Sequence, residues 1–75
     1  MRATVKWFND ERGYGFLTDG DGNEYFVHYR AIAVDGRTER RDGRPFRTLL
    51  TDEQVEIVDF VRTHQGLKAT DVKRL

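Results

Sequence analysis

The chain has no cysteine, a single proline and no net charge, its thirteen Lys and Arg residues being matched by thirteen Asp and Glu. Without cysteine there is no disulfide to reinforce a small core and no thiolate to hold a metal. At 75 residues the chain reads as one domain near the lower limit for a self-sufficient core. Its stability, a few kcal/mol for a chain this size, then rests on burial alone. No apolar run approaches the roughly 18 residues of a membrane span. The opening MRATVKWFND lacks the apolar centre of a signal peptide, so a cytoplasmic chain without a membrane partner is expected. Charge balance argues against indiscriminate polyanion binding, which needs a basic excess. The basic set is nevertheless biased, with ten arginines among thirteen. Arginine stacks on planar groups and forks onto phosphates as lysine cannot.

What is present reads as short strands separated by turn signals, with no internal repeat and no helix-length amphipathic segment. The strands are expected at residues 4–9, 13–19, 24–29, 54–63 and 68–74. TDGDGNE, with its Asp-Gly, suits a hairpin between the second and third, and THQGLK suits another between the last two. In VEIVDFV the apolar phase switches between Ile57 and Val58. A β-bulge there would let Val55 and Ile57, then Val58 and Phe60, face one core, as the bend of a closed barrel requires. Residues 33–48, AVDGRTERRDGRPFRT, form a long polar connection with five arginines against three acids. It reads either as a solvated loop or as an arm that touches phosphates.

RGYGFL and YFVHY carry more rings than one face of a small core can use. Alternation sends Tyr14 and Phe16 to one side of a strand and Leu17 to the other. If Phe26 and His28 share the first side, a ring-lined platform results, backed by Leu17, Tyr25 and Val27. Exposed rings on a sheet are what unpaired bases need, at ~1–3 kcal/mol of stacking per base. The competing reading is that aromatics are good strand formers packing on one another. Gly13 and Gly15 fit a tightly curled strand in which a side chain would compete for space.

VKWFNDERGYGFL resembles the KWFN…KGFGFI opening of the cold-shock domain, and EYFVHYRAI resembles its second ribonucleoprotein motif, VFVHFSAI. The likeness is dense over residues 4–32 and returns at PFRTL, QVEI and GLKATDV. It implies an all-β, five-stranded antiparallel OB-fold barrel with an extended loop between strands 3 and 4, binding single-stranded RNA or DNA. By motif position the stacking surface would be Trp7, Tyr14, Phe16, Phe26, His28 and Tyr29, with Phe46 added from the long loop. Lys6 and Arg12 match basic positions beside the platform, and Asn9 a polar one at its edge. Phe8 would be core and Trp7 surface. Tyr29 shares parity with inward Val27, so its exposure needs the strand to end there. His28 would either contact a base or phosphate, in which case an imidazole makes binding modestly pH-sensitive, or be merely a half-buried aromatic.

The departures redistribute charge. Arg30 stands where the family commonly has serine, Lys68 lies within GLKA in place of GPQA, and a usual cation is lost at Gln65. Tyr25 replaces a smaller core residue, so its hydroxyl needs an escape. The connection at 33–45 exceeds the family's by roughly nine residues, long enough for strand exchange between two copies of an otherwise monomeric chain.

Other functions are poorly served. Asp10 and Glu11 are adjacent and do not converge, and His28 and His64 lie far apart with no nucleophile beside them. No enzyme, metal or cofactor is expected. A peptide-binding β-barrel adaptor is the alternative that an aromatic face allows. Duplex recognition is disfavoured because no helix is available for a groove.

Overall fold

The computed structural model describes residues 1–33 and 48–75. Among the described residues there are five strands: β1 Arg2–Asn9, β2 Tyr14–Asp19, β3 Glu24–His28, β4 Gln54–Thr63 and β5 Gly66–Arg74. A 3-10 turn, Tyr29–Ala31, follows β3. The strands close into a barrel in the order β1-β2-β3-β5-β4. All neighbours are antiparallel except β3 and β5, which pair in parallel through Tyr25–Leu67, Phe26–Lys68 and Val27–Ala69. This corrects the all-antiparallel expectation, and the reason is parity. Strand directions cannot alternate around a closed ring of five, so one pair must run parallel.

Alternation places Leu17, Tyr25 and Val27 inside the barrel with Val5, Val55, Ile57 and Val72. Burying each such aliphatic side chain is worth ~1.5–3 kcal/mol before the entropy of ordering it. Two irregularities bend the wall. In β1, Val5 opposes Leu17 but Trp7 opposes Phe16, leaving Lys6 as an extra residue. That bulge resets the phase, so Val5 and Phe8 both turn inward and Trp7 turns out. In β4 the bulge expected near Ile57 is present, but Val58 is the extra residue and is 51% exposed. A compensating slip at Thr70 of β5 brings Phe60 opposite buried Ala69. The expected inward pair is therefore reduced to Phe60, whose ring meets that of Tyr25 at 5.4 Å while remaining 43% exposed at the barrel's end.

Tyr25 finds its escape in a hydrogen bond from its hydroxyl to Asp19 Oδ2 at 2.8 Å. Asp19 also accepts from the backbone N–H groups of Asp21 and Asn23, both at 2.9 Å, so it organises the β2–β3 hairpin. On the far side of the long connection, Thr48 donates to Asp10 and Leu49 enters the core. The Asp52 N–H donates to the Val5 carbonyl at 2.8 Å. Phe46, Arg37, Arg40, Arg41, Arg44 and Arg47, and with them the arm and strand-exchange readings, lie outside the described residues.

Candidate nucleic-acid interface

Two rows of side chains cross the outer face of β1, β2, β3 and β5. In the first, Trp7 pairs with Phe16, Phe16 with Phe26, and Phe26 with Lys68. In the second, Asn9 pairs with Tyr14 and Tyr14 with His28. Residues in register on adjacent strands share a face and lie about 4.5–5.5 Å apart at Cβ, so the rings form a continuous surface. Their centroids are 5.4 Å apart for Trp7–Phe16, 5.7 Å for Phe16–Phe26 and 5.6 Å for Tyr14–Phe26, the last pair stacked at 28°. Trp7 is 38% exposed, and Tyr14, Phe16, Phe26 and His28 are half-buried. The rings thus support one another laterally while staying outside the core. The packing reading of the aromatic surplus is seen in the ring contacts, and the partial exposure leaves faces open to solvent.

Close backbone approach makes this face possible. A Cβ on Gly15 would fall on the Trp7 carbonyl and 2.7 Å from Phe8 Cα. Gly13 has φ +74°, and a Cβ there would lie 2.7 Å from the Tyr29 ring. The Tyr29 N–H donates to the Gly13 carbonyl at 2.8 Å. β3 ends at His28, so Tyr29 escapes the inward parity of Val27 and is 38% exposed. Its ring lies 4.5 Å from that of His28, and the Arg30 guanidinium sits 6.0 Å above it. His28 Nδ1 accepts the Arg30 N–H at 3.3 Å, capping the 3-10 turn.

The polar candidates divide. Lys6, the bulge residue, is held by Glu24 at 2.5 Å. Glu24 is a site neighbour that sequence reasoning missed, because the pairing depends on the unforeseen bulge. Asn9 accepts the Arg12 N–H through Oδ1 at 2.9 Å, so that oxygen serves the β1–β2 turn, and Arg12 stands exposed beside it. Lys68 ends the first ring row and borders two grooves. One is formed with His28, Tyr29, Arg30 and Thr70, and the other with Phe16, Glu24, Phe26 and the Thr63–Gln65 tip. Thr70 was likewise not picked out from sequence, since only the β3–β5 pairing brings it to the platform. Among the described residues no cluster of His, Asp and Glu could hold a metal, and no helix is long and apolar enough to cross a membrane.

Comparison with known proteins agrees with this geometry. The family model for the 'Cold-shock' DNA-binding domain matches residues 1–75. Cold shock protein CapB of Pseudomonas syringae is 40% identical over 71 residues, 95% of this chain and 88% of that protein. Cold shock-like protein CspA of Stigmatella aurantiaca is 42% identical over 74 residues, 97% of this chain and 94% of its own length. Cold shock-like protein CspC of Bacillus cereus is 39% identical over 75 residues, the full length of both. On a match that runs from end to end, this chain belongs to the cold-shock domain family, which is one of nucleic-acid-binding proteins and not of enzymes.

Proposed function

We propose that the protein binds single-stranded RNA or DNA by stacking consecutive bases on the two ring rows. The observation that carries this reading is the register of Trp7, Phe16, Phe26 and Lys68 across four strands. It offers unpaired bases π-faces in line with a cation that can meet the backbone. Stacking tolerates every base, so sequence preference should be modest. A protein that holds strands unpaired would act as an RNA chaperone or a regulator of transcripts, and the cytoplasm is where it would meet them. Tyr29 extends the second row, and Lys6, Arg12 and Arg30 flank it.

Fluorescence of Trp7, the sole tryptophan, tests the reading. A short pyrimidine strand should quench it strongly and with a shallow salt dependence, and the matched duplex should not. Equal binding of the duplex with a steep salt slope would mean that arginines dominate and stacking does not. No response to either ligand would favour a peptide as the partner.

A further inference from the structure

The charged residues of the platform are not equivalent. On the β1 side, Lys6 is neutralised by Glu24, and Glu24 also lines the groove beside Phe16 and Phe26. On the β5 side, the groove between the 3-10 turn and β5 has a volume of about 550 Å³, within the roughly 300–1,000 Å³ of ordinary ligand sites. Its lining includes Arg30 and Lys68 as cations together with His28, Tyr29 and Thr70, and no described carboxylate lines it. Arg30 is steadied by the Tyr29 ring and pairs with no acid among the described residues, and the same holds for Lys68. A planar, forked guanidinium beside a compact ammonium suits the oxygens of a phosphate better than the flat edge of a base.

We infer that this groove is a phosphate site, in which Arg30 and Lys68 together hold one phosphate next to the base resting on His28 and Tyr29. The inference rests on the single-strand reading and adds to it. Stacking alone leaves the backbone free in solvent, whereas a two-cation site fixes one linkage and therefore the frame in which bases meet the rings. The phosphate belongs either to the passing backbone or to a strand end, where a monoester carries the larger charge.

A short oligothymidine strand with one linkage at a time made uncharged as methylphosphonate tests this, read by Trp7 quenching. One linkage should matter, its neutralisation weakening wild-type binding roughly tenfold, the scale of a lost charge-assisted contact. In the Arg30→Ser/Lys68→Gln double variant that positional effect should vanish and the salt slope should fall by about 0.7, the value for one phosphate of a single strand. Quenching at saturation should be unchanged. Strands ending in a 5′- or 3′-phosphate separate the two sources. Affinity gained from the end group in wild type and lost in the variant assigns the groove to a strand terminus. Sensitivity at an internal linkage assigns it to the backbone. If wild type and variant share one linkage profile and one slope, the inference is overturned while stacking stands. If neither protein's Trp7 is quenched, both fall.

Discussion

The hydroxyl of Tyr25 donates to Asp19 Oδ2 at 2.8 Å, joining the largest side chain of the barrel interior to the carboxylate that organises the β2–β3 hairpin. The phenol's bond is the leading reason that the Asp19 carboxyl is lowered from 3.8 to about 2. The N–H groups of Asn23 and Asp21 add to it, and partial burial opposes it. A carboxyl depressed in the folded state stabilises above its unfolded value and loses that contribution as pH falls through the folded one. The loss therefore runs from pH 3.8 down to about 2. Tyr25→Phe should flatten the acid limb of the Tm profile over that interval and lower the Tm at neutral pH by a few degrees. An unchanged acid limb would mean that the hairpin N–H groups alone keep Asp19 ionised.

Of the described glycines, Gly15 has the closest backbone neighbours. The Cβ of Gly15→Ala would press on backbone at Trp7 and Phe8, and backbone within two paired strands cannot swing aside as a side-chain tip can. Overpacking of this kind costs about 1–3 kcal/mol, seen as a lower denaturation midpoint at constant m-value. Because β1 must move away from β2, Trp7 emission should shift as well. A variant of wild-type stability would show that the β1 bulge absorbs the methyl group.

Much of this architecture is legible in the residues, and the rest fails for identifiable reasons. Tyr14, Phe16, Phe26 and His28 lie on strands of unbroken period, so alternation groups them on one face, and the family resemblance supplies which face is outward. Trp7 and Val58 sit at or beside bulges, where one extra residue reverses the parity of every later position in the strand. Motif position located Trp7 correctly, whereas the bulge expected at Ile57–Val58 is present but takes Val58 itself as its extra residue and leaves it exposed. The parallel β3–β5 pair comes from closing an odd ring, a property of the whole chain that no local window contains. Glu24 and Thr70 come to the platform only through those long-range pairings.

Two ion pairs of similar length should differ in what they contribute. Lys6 and Glu24 are about half exposed, whereas Arg74 meets Glu53 with two bonds, 2.6 and 3.1 Å, in a partly buried setting. Exposed pairs typically contribute roughly 0–1 kcal/mol and are screened by salt. Arg74→Ala should cost more, about 1.5–3 kcal/mol, since Glu53 loses charged hydrogen bonds. The order should persist in high salt, and urea midpoints of Lys6→Ala and Arg74→Ala measure it directly.

Glu24→Gln separates stability from binding. It should leave the midpoint nearly unchanged while releasing Lys6 and removing a negative charge beside Phe16 and Phe26. Affinity for a single strand should rise several-fold and the salt dependence should steepen, because one more cation becomes available for counterion exchange. Weaker binding would instead make Glu24 a direct acceptor for a base.

The two ring rows also constrain how a bound strand runs. Phe16 touches Trp7 and Phe26 in its own row, whereas no ring contact joins it to His28 in the other. Phe16→Ala should weaken binding by ~1–3 kcal/mol, the range for a lost stacked base, with a smaller loss of stability from its tilted contact with Trp7 and edge-on contact with Phe26. Combined with Phe26→Ala, which shares its row and its neighbours, the losses should fall short of additive, by about 0.5 kcal/mol or more. Combined with His28→Ala they should add to within roughly 0.5 kcal/mol. The opposite pattern, coupling to His28 and independence from Phe26, would mean that single bases bridge the rows along a strand and do not occupy them across the sheet.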